Sequence, residues 1–153
     1  MGKLLQWSDD LNIGIDEIDR QHRRILDFIN HLYQASEEDD TNKLTMILEG
    51  IIGYTESHFS FEEEMLYNSE YPAAETHMET HGKFVNRMNS YKDRLEKGEN
   101  IAHNLSNELM VWLTHHIKNE DQLYVPYVTK HEHDKNRIEN MLSRHFGHTS
   151  LTH

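Results

Sequence analysis

The chain contains no cysteine, which excludes disulfides, thiolate metal sites and thiol catalysis. It holds little that breaks regular structure: 7 Gly and 2 Pro in 153 residues signal few turns and long elements. No apolar run approaches the ~20 residues a membrane-spanning helix needs. The N-terminal stretch MGKLLQWSDDL has no long apolar segment and no small-residue cleavage pattern, so it does not read as a secretion signal. Positive charge is scarce as well: 15 Lys and Arg stand against 27 Asp and Glu, for a formal net charge of -12. Such a surface repels the phosphates of nucleic acid and of anionic lipids, so neither nucleic acid nor a membrane is expected as a partner. A cytoplasmic protein is the expectation that remains.

What the chain has in excess is histidine, 13 residues, and without cysteine these are the available borderline metal ligands. Apolar residues make up 36% and charged residues 27%, which suits helices with narrow buried stripes and wide solvated faces, hence an all-α fold. Four segments carry helical periodicity. The first, from about Asp16 to Ala35, sets Ile18, His22, Ile25, Ile29 and Leu32 on one face; Asp40 or Thr41 can cap the next. The second, about Thr41 to Tyr67, sets Leu44, Leu48, Ile51, Thr55, His58, Glu62 and Met65 at alternating steps of four and three, the seam of an antiparallel bundle. The third opens near Pro72, expected in its first turn, and runs through His77, His81, Phe84, Met88 and Leu95 to a stop at Gly98. The fourth, capped by Asn100, carries Leu105, Leu109, Trp112 and His116.

Short connections make neighbouring helices antiparallel, so residues 1–130 are expected to form an up-down-up-down four-helix bundle with an N-terminal arm. Residues 131–153 are expected to add a C-terminal helical extension and a disordered tail. Ile138, Met141, Leu142 and His145 share one face of that extension, with Gly147 as a stop. Packing back on the bundle is favoured over docking to a partner, because so few apolar residues are a weak interaction signal.

A single histidine on an apolar face is ordinarily a hydrogen-bonded core residue. Five of them on four converging seams, together with Glu62, are a different matter. Burying them uncompensated costs on the order of several kcal/mol, a large part of the ~5–15 kcal/mol by which a domain is stable. A metal removes that cost by using imidazole lone pairs and carboxylate charge together. His58 with Glu62, and His77 with His81, stand four apart on one helical face. His116 is followed five residues later by Asp121, a spacing that fits a helix face poorly and implies a distorted backbone or a sideways reach. His115 is turned by ~100° from its neighbour; His116, which continues the Leu109–Trp112 stripe, is the candidate.

This donor set, His22, His58, His77, His81, His116, Glu62 and Asp121, is too large for one tetrahedral zinc and too rich in nitrogen for calcium or magnesium. If both carboxylates bridge two metals, with three histidines on one and two on the other, one coordination position stays open. A redox-active pair with an open site is the minimum equipment for a small diatomic ligand, and iron suits imidazole plus carboxylate.

The stretches WSDDLNIGIDEIDRQHRRIL, HFSFEEEM, YP followed by HMETH, and WLTHHIKNED resemble the signature of the hemerythrin family, from Trp7 to about Tyr127. The resemblance implies reversible binding of molecular oxygen, for storage or transport, at a non-heme pair of iron ions (Fe2+/Fe3+) joined by an oxo or hydroxo bridge. It implies that His77, His81 and His116 hold one iron, that His22 and His58 hold the other, and that Glu62 and Asp121 bridge them. Ile25, Phe59, Trp112, Leu113 and Ile117 occupy positions that resemble the family's apolar oxygen pocket, a role compatible with ordinary core. Tyr124, one turn beyond Asp121, is a candidate to hydrogen-bond a bridging carboxylate.

An oxygen-using enzyme is the partner such a carrier would supply. The alternative is a free-standing oxygen or redox sensor. An iron-handling oxidase of the ferritin type is weaker still: that class uses Glu-x-x-His pairs, and the nearest match here is Asp19-x-x-His22. No acid–base constellation appears outside the candidate ligands, so an enzyme is not expected. The other histidines, His31, His103, His115, His131, His133, His145, His148 and His153, are expected on the surface.

Overall fold

The four periodic segments become long helices because each keeps one apolar stripe and none has an interior proline. The computed structural model describes residues 5–128 and 135–150. Its helices are α1 (Asp16–Ala35), α2 (Thr41–Asn68), α3 (Ala74–Glu96), α4 (Ala102–Asn119), the short α5 (Val125–Val128) and α6 (Lys135–Ser150). Two 3-10 turns, Asp9–Leu11 and Asp121–Tyr124, complete the elements, and no strand occurs among the described residues.

Local chemistry sets the helix ends. Asp40 caps α2, its Oδ1 accepting the Lys43 N–H at 3.1 Å. Beyond α3, Gly98 takes φ +88°, its N–H donates to Leu95 O and the Glu99 N–H reaches back to Arg94 O. That pair of bonds needs a left-handed residue, which glycine supplies without strain. Two helix starts differ from expectation. Pro72 lies ahead of α3, at the second position of a turn closed by Ala74 N–H to Tyr71 O, a place its fixed φ suits. Asn100 does not cap α4: Ile101 holds that position without a side-chain bond, and the helix starts one residue later, at the buried Ala102.

The bundle core is the set of seams. Ile18, His22, Ile25, Ile29 and Leu32 of α1 and all seven seam residues of α2 are buried. α2 packs on α1 and α3, and α4 on α1, which gives the up-down-up-down order. α3 and α4 meet through the stacked rings of Phe84 and Trp112, 3.8 Å apart. The N-terminal arm is tied to α1, where the buried Asp19 carboxylate accepts the Ile13 and Gly14 N–H groups at 2.8 and 3.2 Å. Gly14 has φ +94° there. α6 lies on α2, with Met141 and Leu142 buried, Phe146 against Tyr54 and Phe61, and Arg144 and His145 on the Glu64 carboxylate. His145 is therefore not a free surface residue, and Gly147 (φ +72°) breaks α6 as expected. His31, His103 and His115 are exposed, while His131, His133, His153, the side chain of His148 and the expected boundary at 130/131 lie outside the described residues.

Candidate metal centre

Four helices deliver the donors to one point near one end of the bundle. His22 comes from α1, His58 and Glu62 from α2, His77 and His81 from α3, and His116 from α4. Asp121 follows a break: α4 ends at Asn119, Glu120 adopts φ -120°, ψ -54°, and the chain tightens into a 3-10 turn. That change of pitch swings Asp121 inward despite its awkward spacing from His116. His22, His58, Glu62 and Asp121 have no exposed surface, and His77, His81 and His116 are buried. His115, by contrast, is exposed and pairs with Asn119.

The donors fall into two groups sharing Glu62. Glu62, His77, His81 and His116 form one, and His22, His58, Glu62 and Asp121 the other, each with ligand-type atoms within 4.8 Å of one another. Each carboxylate straddles the two. Glu62 Oε1 lies 2.7 Å from His77 Nε2 and 2.9 Å from His81 Nε2, while Oε2 faces His58 Nε2 at 3.6 Å. Asp121 Oδ1 lies 3.1 Å from His116 Nε2 and 3.2 Å from His77 Nε2, while Oδ2 is 2.9 Å from His22 Nε2.

Several of these approaches are not hydrogen bonds. Nε2 of His22, His58, His81 and His116 and both Asp121 oxygens are buried without a hydrogen-bond partner. Nitrogen and oxygen lie close together, but the donors are not aimed at the acceptors. Orphaned polar atoms in such number are rare in a native core, and converging donors are what a cation between them requires. Imidazole with carboxylate is the donor chemistry of iron, and the residues fit a two-metal centre.

The imidazoles are turned inward by outer partners that sequence reading missed. Glu17 can only accept, so Gln21 Nε2 donates to it at 3.0 Å, and Gln21 Oε1 must then face His58 Nδ1, 2.7 Å away. Nδ1 carries the proton, which leaves the His58 Nε2 lone pair directed into the site. Glu63 accepts from His81 Nδ1 at 2.9 Å and Glu120 from His116 Nδ1 at 3.0 Å. The Tyr124 hydroxyl, buried without exposed surface, donates to Glu62 Oε2 at 2.9 Å, the expected bond to a bridging candidate.

Burial and the neighbouring charges compete over the protons of the site. Burial pushes the His58 imidazole down to about 3, so it stays neutral. Burial alone would do the same to His77, but the neighbouring Asp121 carboxylate and the hydrogen bond to Glu62 outweigh it and hold its pKa at about 10. For Glu62, burial favours the neutral acid, yet the His77 hydrogen bond and the close imidazoles of His81 and His58 prevail and keep the carboxyl well below its ordinary range. Burial and the neighbouring carboxylates drive the Tyr124 hydroxyl far upward, so it remains a donor.

Aromatic and aliphatic groups close the site. Phe59 stacks on His81 at 3.7 Å and lies 5.8 Å from His58, and Trp112 lies nearly parallel to His116 at 5.1 Å. Ile25, Leu113 and Ile117 are buried in the surrounding core, while Trp112 is half-buried. Among the described residues, no helix is long and apolar enough to cross a membrane.

Residues 13–128 match the model of the hemerythrin HHE cation binding domain. A bacteriohemerythrin of Stenotrophomonas maltophilia (strain R551-3) is 41% identical over 128 residues, covering 84% of each chain. One of Pseudomonas aeruginosa (strain LESB58) is 39% identical over 124 residues, covering 81% of each. Among solved structures, wild-type hemerythrin superimposes with a TM-score of 0.78 at 23% identity, over 82% of this chain and 98% of that one, a likeness of fold. With the family model spanning most of its length, the chain belongs to the hemerythrin family.

Proposed function

We propose that the protein binds molecular oxygen reversibly at a di-iron centre, as an oxygen store or carrier. His77, His81 and His116 would hold one iron and His22 and His58 the other, with Glu62 and Asp121 shared between them. The observation that carries this reading is that each carboxylate turns one oxygen to each histidine group. When bound, a pair of irons would supply the electrons that reversible oxygen uptake needs. The protein's part is to bind, orient and exclude. Gln21, Glu63 and Glu120 fix the inward nitrogens of His58, His81 and His116. Tyr124 holds Glu62 in place and offers a proton donor that stays protonated across the physiological range. Ile25, Phe59, Leu113 and Ile117, with Trp112 at the edge, would keep bulk water away from the bound metals. Five imidazoles against two carboxylates favour reversible binding over oxygen activation, which draws on oxygen-rich donor sets.

The test is anaerobic reconstitution with ferrous iron, followed by cycles of oxygen and argon under a visible spectrometer. A coloured adduct that forms under oxygen and bleaches under argon, at two irons per chain, is the expected result. Immediate and irreversible conversion to a ferric form overturns the reading in favour of iron oxidation or redox sensing.

A further inference from the structure

The two histidine groups are backed unequally. In the three-histidine group, His81 Nδ1 donates to the Glu63 carboxylate and His116 Nδ1 to the Glu120 carboxylate. In the two-histidine group, His58 Nδ1 donates to the neutral amide oxygen of Gln21, and His22 makes no hydrogen bond through either ring nitrogen. Glu63 and Glu120 are each the chain neighbour of a bridging candidate, Glu62 and Asp121. A shift of one residue along the backbone turns the second carboxylate away from the centre and onto the outer nitrogen of an imidazole.

A carboxylate on the outer N–H makes an imidazole a stronger donor and locks its orientation; such partners are typically worth ~10–100-fold in metal affinity. An amide carbonyl does the same more weakly, because the bond is not charge-assisted. The three-histidine group also has one more nitrogen. Both effects act in the same direction, and the shared carboxylates do not offset them, since Glu62 and Asp121 serve both groups.

We infer that the centre is built as one tight and one labile metal position, with Glu63 and Glu120 as positioning residues of the tight one and Gln21 of the labile one. The inference rests on the two-metal reading above. The metal on His22 and His58 leaves first and is replaced first, and a one-metal form occupied at His77, His81 and His116 accumulates between.

The experiment uses full-length protein loaded with cobalt(II), which does not oxidise during handling, and withdraws metal with increasing nitrilotriacetate while cobalt per chain is measured. Two steps are expected, with a plateau at one cobalt per chain. Glu63→Gln with Glu120→Gln should make the second cobalt at least ~10-fold easier to remove and leave the first step in place, so that the plateau shrinks. The charge-conserving swap Glu17→Gln with Gln21→Glu places a carboxylate on His58 and should make the first cobalt harder to remove without moving the second. If the double variant does not fold, as judged by far-UV circular dichroism, the single variants Glu63→Gln and Glu120→Gln carry the comparison. Two cobalts leaving together from the wild-type protein, or either variant pair shifting both steps equally, overturns the proposal alone. Protein that never holds two metals per chain overturns the reading beneath it as well.

Discussion

Removing the metal is expected to cost this fold a large share of its stability. Six buried atoms that face the centre lack a hydrogen-bond partner: Nε2 of His22, His58, His81 and His116, and both oxygens of Asp121. Leaving a buried polar group unsatisfied costs ~1–3 kcal/mol, so six amount to ~6–18 kcal/mol. Water drawn into the emptied site recovers part of this, and the proton on His77 offsets some carboxylate charge. The expected loss is therefore the lower end, ~6 kcal/mol, against a total stability of ~5–15 kcal/mol for a domain. At ~2–4 °C per kcal/mol for a chain of this length, the melting temperature should fall by ~12–24 °C. The assay compares far-UV circular dichroism melts of anaerobically iron-loaded protein, of the same protein after dialysis against a ferrous chelator, and of the dialysed sample after iron is returned. Recovery of the higher melt on reloading ties the loss to the metal. Melting temperatures within about 2 °C of one another would refute the reasoning, since less than ~1 kcal/mol would then separate the two forms.

Other outcomes follow from individual residues. Metal uptake at pH 8 should release at least one proton per chain, because His77, with a pKa of about 10, is charged in the empty site and must be neutral to ligate. Affinity should accordingly rise with pH up to that value; a pH indicator in weak buffer that records no release contradicts this. Tyr124→Phe leaves the ring packing intact but removes the bond to Glu62, and should destabilise the loaded protein by ~1.5–3 kcal/mol in urea titrations. Met141→Ala opens a cavity under α6 and should cost ~2–5 kcal/mol. Amide exchange should show whether that loss stays confined to α6 and the face of α2 beneath it. Asp40→Ala should cost ~1 kcal/mol through the lost α2 cap, measured by thermal melting.

The seams are legible because burial writes itself into a chain at steps of three and four, and a histidine or glutamate on such a step is conspicuous. His22, His58, Glu62, His77, His81 and His116 stand out in the sequence for that reason. Asp121 is legible as a residue but not as a geometry, since nothing in the spacing specifies the change of pitch at Glu120. Gln21, Glu63 and Glu120 escape notice because polar residues one step off a seam look like a solvated face. Their signals are faint: Glu120 stands four after His116, Gln21 four after Glu17, and Glu63 beside Glu62. Asn100 misleads in the opposite sense, a good capping residue that stands one position ahead of the cap. His145 looks like any tail histidine, because its partner Glu64 is distant in sequence and carries no mark of being one.

The order in which the donors occur along the chain has a consequence for biosynthesis. Glu62, His77 and His81 sit on two consecutive helices, so a hairpin of α2 and α3 suffices to bring three donors together. Asp121 is the last donor to leave the ribosome and the only one outside the four long helices. A nascent chain therefore carries His58, Glu62, His77 and His81 before α4 is made, but it cannot close the centre until the turn after α4 has formed. Assembly of the finished site is in this way postponed to the end of translation of the bundle, when the helices that shield it are already present.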